Sequence, residues 1–447
     1  MKIRSIILAA GLGTRMLSRL PKILHPLAGK PLLQYSIDVV KSASASRPVV
    51  IIGHQAEQIR QVIGDAVDYI VQAEQLGTAH AVGSAEALFK GSKELVLVLS
   101  ADMPFLSVDT LTQLVNIQSS NKGPVTFATT CNEDSRGFGR ILRGNDHNVE
   151  AIIEEALATQ EQLSIREINV GIYCFQADRL FKAIKRIQKS PTGEFYLTDT
   201  IGLARSAGFD VPTITLADPS EAMGINNRVH LAEAEAILRC RINHQWMLSG
   251  VTLEDPDTIY IDSDVQLEED VTILANTHLT GKTSIAKGSV VGPNSVITDT
   301  IIGENCKVSA SYLESAVLEE GVTMGPYCHL RRGAHLGSGV HMGNFGEVKN
   351  SYLGPGTKMG HFSYIGDAKI GRDVNISAGV ITCNYDGKNK HATTIEDDAF
   401  IGSDTMLVAP VKIGKRAHSG AGSVVTKDIP DDTLVVGVPA HEIKKLK

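Results

Sequence analysis

The chain has 447 residues, 43% of them hydrophobic and 21% charged, with 43 Lys and Arg against 50 Asp and Glu for a formal charge of −7. About two to three ordinary domains fit that length, each able to bury its own core, and the negative balance disfavours broad binding to nucleic acid or an anionic bilayer. The six cysteines (Cys131, Cys174, Cys240, Cys306, Cys328, Cys383) are scattered without a CxxC pair; together with the lack of any run long enough to span a membrane, this predicts reduced thiols, a cytoplasmic location and no membrane insertion.

In chain order, short apolar runs at Ile3–Leu8, Val49–Ile52, Leu95–Leu99 and Val125–Thr130 alternate with helical patterns at Leu32–Lys41, Thr78–Phe89 and Val108–Ile117. Strands separated by helices require crossovers, so the first domain, residues 1–226, is predicted to be an α/β domain with a mainly parallel, Rossmann-like sheet and its ligand at the carboxyl ends of the strands. Residues 227–249 lack Gly and Pro and read as one helix. It is either a rod linking two domains or the last helix of the first. Composition changes just after it: 24 of the 41 glycines lie in residues 250–447.

There the apolar residues recur every sixth position. Leu279, Ile285, Val291 and Ile297 are so spaced, as are Leu318, Met324, Leu330, Leu336, Met342 and Val348, then Ile401, Leu407 and Ile413. A period of six fits neither a helix nor an antiparallel sandwich. It predicts a parallel β-helix over 250–447, one short strand per hexad, with the aliphatic residue of each pointing inward. The polar stretch Cys383–Thr394 breaks the pattern and is predicted to loop out of the coil.

Two sets of residues suggest chemistry. After the first strand comes Leu8-Ala9-Ala10-Gly11-Leu12-Gly13-Thr14-Arg15-Met16, followed by Pro21-Lys22. A glycine-rich turn lets main-chain N–H groups approach phosphate oxygens that Arg and Lys neutralise; two glycines alone are equally a tight turn. The third glycine of a dinucleotide fingerprint and the GK[ST] of a P-loop are missing. Asp102 follows an apolar strand and precedes Pro104, which puts a carboxylate where a magnesium nucleotide would bind, although an isolated Asp is also an ordinary turn residue or helix cap. In the coil, Arg331, Lys349 and Lys390 suit a phosphate monoester. His361 is a candidate general base, since imidazole titrates near neutrality, and no cysteine or carboxylate at ligand spacing makes it a metal site. The coil could equally serve as a scaffold or a regulatory tail.

The motifs LAAGLGTRM, PKILHPLAGKP, QAEQLGTAHA, ADMP, GFGRI, EINVGIY, GEFYLTD and GINNR, and in the coil GPYCHLRRGAHLG, HMGNFGEVKNSYLG, KMGHFSYIGDAKIG, DVNISAGVITCNYDGKNKHAT and FIGSDTMLVAPVKIG, run in order through the chain. It closely resembles the bacterial bifunctional N-acetylglucosamine-1-phosphate uridylyltransferase / glucosamine-1-phosphate acetyltransferase family. The resemblance implies that Leu8, Ala9, Gly11, Gln72, Gly77 and Thr78 hold the uridine nucleotide, Gly139, Glu154, Asn169 and Asn227 the sugar, and Asp102 with Asn227 one Mg²⁺. Arg15 and Lys22 are assigned to the phosphates. In the coil it implies that Arg331, Lys349, Tyr364, Asn375 and Lys390 bind glucosamine-1-phosphate and that His361, oriented by Glu347, takes the proton. Ala378, Asn384, Tyr385, Ser403 and Ala421 would contact acetyl-CoA.

The same resemblance implies that the coil is left-handed, against the usual right-handed crossover rule, and assembles a homotrimer. UTP and acetyl-CoA are then co-substrates. Two departures from the family pattern stand near the nucleotide: Leu12 for a polar residue, and Ser100-Ala101 where a glycine usually precedes the Asp. The competing expectations are a single-activity sugar-1-phosphate nucleotidyltransferase with a scaffold coil, and a non-catalytic regulatory subunit.

Overall fold

A computed structural model describes residues 2–44, 46–131, 135 and 137–445. The chain packs as two units, Met1–Glu235 and Ala236–Lys447, so the division falls inside the helix Arg228–Leu248 rather than at its ends. Its first half belongs to the first unit, where Ala234 is buried and Glu235 accepts the Ala28 N–H at 3.0 Å. Its second half belongs to the coil, against which Ile242 and Trp246 pack. There Asn243 donates to the carbonyls of Pro256 and Ile259 at 2.8 and 3.0 Å. The helix therefore belongs in part to each unit.

The main sheet of the first unit has the spatial order Thr213–Thr215, Val125–Cys131, Glu167–Gln176, Leu95–Ser100, Ile3–Ala9, Val49–Ile52, Asp68–Val71. All neighbours are parallel except Glu167–Gln176, which runs antiparallel to both of its partners. Alternate residues of the strands face two cores: Leu95, Leu97 and Leu99 lie in one and Val96 and Val98 in the other. Burial on both faces is why these strands read as unbroken apolar runs. The stretch Thr78–Phe89 is two short helices, Thr78–Gly83 and Glu86–Phe89, rather than one. Gly83 is a poor helix former, and the Ser84 hydroxyl donates to the His80 carbonyl at 3.1 Å in competition with the helical ladder.

The second unit is a parallel β-helix. Its strands, most of two or three residues, form three sheets in which each strand pairs with the third one along the chain, until the last pair, Thr433–Val436 and His441–Lys445, which is antiparallel. The inward aliphatic residues stack in register, Leu279 on Ile297 and Leu330 on Val348, for example, and are fully buried. At about 25 cal/mol per Å² of apolar surface, this continuous column is the main stabilising term of the unit. Of the predicted loop Cys383–Thr394, residues 384–392 leave the coil, while Cys383 and Thr393–Thr394 stay in its strands, and Asn375 still pairs with Phe400 beyond them. Among the described residues no helix is long and apolar enough to cross a membrane.

Candidate active sites

In the first unit, the parallel strands Ile3–Ala9 and Leu95–Ser100 place Leu8 opposite Ser100, so the loops leaving their carboxyl ends begin side by side. One carries the glycine-rich segment, the other Asp102. Gly13 has φ +62° and a Cβ there would lie 2.7 Å from the Cβ of Lys22; glycine is what lets the loop close over that lysine. The Lys22 ammonium is bonded to the Asp102 carboxylate, whose other oxygen accepts the Ser100 hydroxyl at 2.6 Å. Lys22 also donates to Asn226 Oδ1 at 3.2 Å, and Arg15 to the same oxygen at 2.9 Å. Ser100, one of the departures from the family pattern, thus braces the carboxylate.

These groups border a cavity of about 540 Å³. Of the residues expected around the nucleotide and sugar, Leu8, Ala9, Gly11, Arg15, Lys22, Gln72, Gly77, Thr78, Asp102, Glu154 and Asn169 line it. The opposite wall is tied to the GEFYLTD segment: Ala79 N–H donates to the Phe195 carbonyl at 2.9 Å, and Thr78 Oγ1 accepts from Leu197 N–H at 2.9 Å. A Cβ on Gly77, at φ +100°, would fall 2.6 Å from the Phe195 carbonyl oxygen, so this close approach requires glycine. Burial pushes the Glu154 carboxyl above the usual carboxylate range, and nearby Asp199 and Glu194 push the same way; the Thr198 hydroxyl donating at 2.8 Å opposes the shift. Asn169 donates to the buried Tyr173 hydroxyl at 2.7 Å. Gly139 stands behind this wall, its carbonyl accepting from Asn169 N–H at 2.9 Å.

Asn227 is the exception. Its Oδ1 accepts the His230 N–H at 2.9 Å, capping the helix Arg228–Leu248, while its neighbour Asn226 faces Lys22 and Arg15 and lines the cavity. In this conformation the amide next to the carboxylate belongs to Asn226, not Asn227. The GINNR segment was recognisable, but two adjacent asparagines cannot be told apart without the helix start. Thr198 and Tyr173 also line the cavity, bonded to Glu154 and Asn169, and neither residue type announces that role in the sequence. The donor set fits a magnesium ion: hard oxygens only, with one carboxylate and an amide, leaving most positions to water and phosphate. Among the described residues no cluster of three or more His, Cys, Asp or Glu forms a dedicated metal cage.

In the coil, successive turns stack the corner residues. Backbone bonds from Phe362 to Asn344, Gly379 to His361, Asp404 to Ala378 and Gly422 to Ser403 link one column, in which Asn344, His361, Ala378, Ser403 and Ala421 occupy equivalent places. The histidine expected to act as base and three residues expected to meet acetyl-CoA therefore share one corner, small side chains continuing the line from His361. His361 is exposed, and its Nδ1 is bonded to Asn344 Oδ1. A carbonyl oxygen accepts only, so Nδ1 carries the proton and Nε2 is free to receive one. Glu347, expected to orient His361, is instead engaged by Arg331 at 3.1 Å. The group bonded to His361 Nδ1 is the Asn344 amide.

Most of the remaining residues gather at the other edge of the sheet that begins at this corner. Lys349 lies in register with Gly366, and Glu347 with Tyr364. The ammonium of Lys390 and the guanidinium of Arg331 hold Lys349 below the usual lysine range, Lys390 contributing most. Three cations crowded together form a site for a polyanion. Asn384 is buried and donates to Asp367 at 2.6 Å. The loop carrying Tyr385 and Lys390 is braced by Asp386, which accepts from the N–H groups of Lys388 and Asn389 at 2.7 Å and from His391 at 2.7 Å. These bonds hold the Asp386 carboxyl far below its usual range. Asn375 sits on the preceding sheet and donates to the Ser377 hydroxyl at 3.1 Å. Among the described residues His361 shares no hydrogen bond with the cation cluster.

A nucleotidyl transferase family model matches residues 4–211, and one for the hexapeptide repeat of succinyl-transferase matches 282–311 and 392–427. Over nearly its whole length the chain is similar to curated proteins named bifunctional protein GlmU. The relative from Shouchella clausii is 40% identical over 97% of this chain and 95% of its own length. That from an Exiguobacterium species is 44% identical over 97% and 96%, and that from Heliobacterium modesticaldum 44% over 99% and 96%.

Proposed function

Because the chain belongs to the bifunctional GlmU family, we infer that it makes UDP-N-acetylglucosamine in two steps at two separate sites. In the coil, the amine of glucosamine-1-phosphate attacks the thioester carbonyl of acetyl-CoA; a C–N bond forms, the C–S bond breaks, CoA leaves and the amine proton goes to His361 Nε2. In the first unit, a phosphate oxygen of N-acetylglucosamine-1-phosphate attacks the α-phosphorus of UTP, and the bond to pyrophosphate breaks. The sugar phosphate is already an anion, so this second step needs positioning and charge neutralisation rather than a base.

Side chains at both sites suit these roles. Lys22 and Arg15 neutralise the triphosphate, Glu154 and Asn169 hold the sugar, and Gln72 with the Gly77–Thr78 turn meets the base. Magnesium held by Asp102 and a GINNR asparagine amide would add charge neutralisation on the phosphates. Helix capping by Asn227 favours Asn226 for that amide. Arg331, Lys349 and Lys390 receive the sugar phosphate at the edge that also carries Asn384 and Tyr385, while Ala378, Ser403 and Ala421 leave room along the corner for the pantetheine arm. The observation that carries the acetylation reading is the Asn344–His361 pair, which leaves one imidazole nitrogen bare at the head of a column of small residues.

The coil assembles as a homotrimer in the cytoplasm, and neighbouring chains complete the acetyltransfer site. Support comes from the separation of His361 and the cations across one sheet. Tyr327, Phe345 and Phe362 add to it: they stack at centroid distances of 5.4 and 5.1 Å while remaining 63%, 47% and 64% exposed in the single chain. Such a patch is costly to leave in water and sits on the corner that carries His361. The test is an assay with glucosamine-1-phosphate, acetyl-CoA, UTP and Mg²⁺, each omitted in turn. Leaving out acetyl-CoA should stop UDP-N-acetylglucosamine formation, and adding N-acetylglucosamine-1-phosphate should restore it. If nothing is acetylated while UTP coupling persists, the coil is a scaffold and the single-activity reading stands.

A further inference from the structure

The buried Gln72 amide lies on the wall of the nucleotide cavity, and its orientation is fixed from behind. Its Nε2 donates to the Gly77 carbonyl at 3.3 Å and lies 3.0 Å from His80 Nδ1. The Gly77 carbonyl is an acceptor held in place by the helix it starts, since it also receives the Ala81 N–H at 3.1 Å. It cannot face the oxygen end of the amide without repulsion, so the nitrogen end points toward it. The second N–H of that nitrogen then meets His80 Nδ1, which must be bare, and the imidazole proton resides on Nε2. Both N–H groups of Gln72 are thereby used, and only Oε1 is left to address a ligand.

We infer that His80 is a positioning residue: by holding the amide of Gln72 with its oxygen toward the cavity, it makes the pocket select a pyrimidine that carries N3–H over cytosine. This rests on the reading that Gln72 meets the nucleobase. An accepting Oε1 pairs with the N3–H of uracil, whereas N3 of cytosine is itself a bare acceptor, and two lone pairs would face each other in a desolvated site. A 5-methyl group does not alter N3–H, so the device separates UTP from CTP without rejecting a thymine nucleotide. QAEQLGTAHA contains both partners, but only the fold brings His80 behind Gln72.

The test uses the full-length enzyme with N-acetylglucosamine-1-phosphate and either UTP or CTP, acetyl transfer serving as the control for folding. His80→Leu removes the acceptor; the UTP-to-CTP ratio of kcat/KM is expected to fall about fivefold, through KM for UTP with kcat nearly unchanged, the effect of losing one buried neutral hydrogen bond. His80→Asp supplies an oxygen near the place of Nδ1 that can only accept, and should restore most of the ratio. In the wild type, the ring ¹⁵N spectrum of His80 should show an unprotonated Nδ1. An unchanged ratio in His80→Leu, an Asp variant no better than the Leu variant, or a protonated Nδ1 overturns the inference. Gln72→Ala separates this from failure of the underlying reading: if that variant keeps the full preference for UTP, Gln72 does not meet the base at all. If Gln72→Ala loses the preference and His80→Leu does not, only the role of His80 falls.

Discussion

The two sites are built in opposite ways. In the first unit, loops from neighbouring parallel strands converge on one cavity, and Arg15, Lys22, Asp102, Glu154 and Asn169 all reach it within one chain. The coil arranges its chemistry along an edge instead: His361 and the small residues occupy one corner, while Arg331, Lys349 and Lys390 crowd at the far side of the next sheet. An open sheet gathers ligand-binding loops at its carboxyl ends. A solenoid contacts only its own adjacent turns and presents long surfaces, and the trimer proposed above would close a pocket on such a surface. The first site should tolerate a change of assembly state that the second cannot.

Substitutions can break this contrast. The largest effect is expected at Asp102→Ala, where UTP coupling should fall by about 10³-fold or more, from the loss of charge stabilisation on the phosphates, with acetyl transfer unchanged in the same preparation. His361→Ala should do the reverse, lowering acetyl transfer by about 10² to 10⁴-fold, the range for a general base, and leaving UTP coupling intact. If either change removed both activities from a folded protein, the sites would not be separate. Asn344→Leu should cost acetyl transfer about 10-fold to 100-fold, because the imidazole loses the acceptor that fixes its tautomer; Glu347→Gln should cost less. The opposite order would return the orienting role to Glu347.

Two smaller effects depend on pH. Lys349 loses its proton below the usual lysine range because Lys390 and Arg331 repel it. As pH rises through that lowered titration, the site loses a positive charge, and KM for glucosamine-1-phosphate should climb at a lower pH than an ordinary lysine would cause. Lys390→Ala removes the main source of repulsion, so the inflection should move to higher pH even as the overall KM rises. An inflection that does not move means the two ammonium groups do not interact. At the first site, burial raises the Glu154 titration. A raised carboxyl pKa favours the folded state most at low pH, and that contribution is lost as pH rises from the unfolded value through the folded one. Glu154→Gln should therefore flatten the pH dependence of the thermal midpoint across that window. An unchanged slope would mean the carboxylate is solvated.

Much of this contrast was legible in residue order, and the reasons differ by region. In the coil each hexad puts an aliphatic residue inside, so Leu279, Leu330 and Ile401 announced the solenoid one by one. What stacks along a corner recurs once per full turn, a longer and irregular interval, and so the column joining Asn344, His361, Ala378, Ser403 and Ala421 was hidden. So was the aromatic ladder at Tyr327, Phe345 and Phe362, whose residues all adopt positive φ. In the first unit the phosphate loop, Asp102 and the GEFYLTD segment stood out as motifs. Whether Asn226 or Asn227 turns inward depends on where the next helix begins, a boundary that local propensity places only within a few residues. The helix Arg228–Leu248 read correctly as a helix, but its division between units rests on contacts from Glu235 and Asn243 to distant segments.

The most direct measurement compares both activities of Tyr327→Asp, a change on the aromatic ladder outside either site, at a concentration where sedimentation shows single chains. UTP coupling per chain should match the wild type, while acetyl transfer should be nearly absent and return as the protein is concentrated into trimers. Full acetyl transfer by the isolated chain, or a parallel loss of UTP coupling, would contradict a site finished by neighbouring copies in the coil and a self-sufficient one in the first unit.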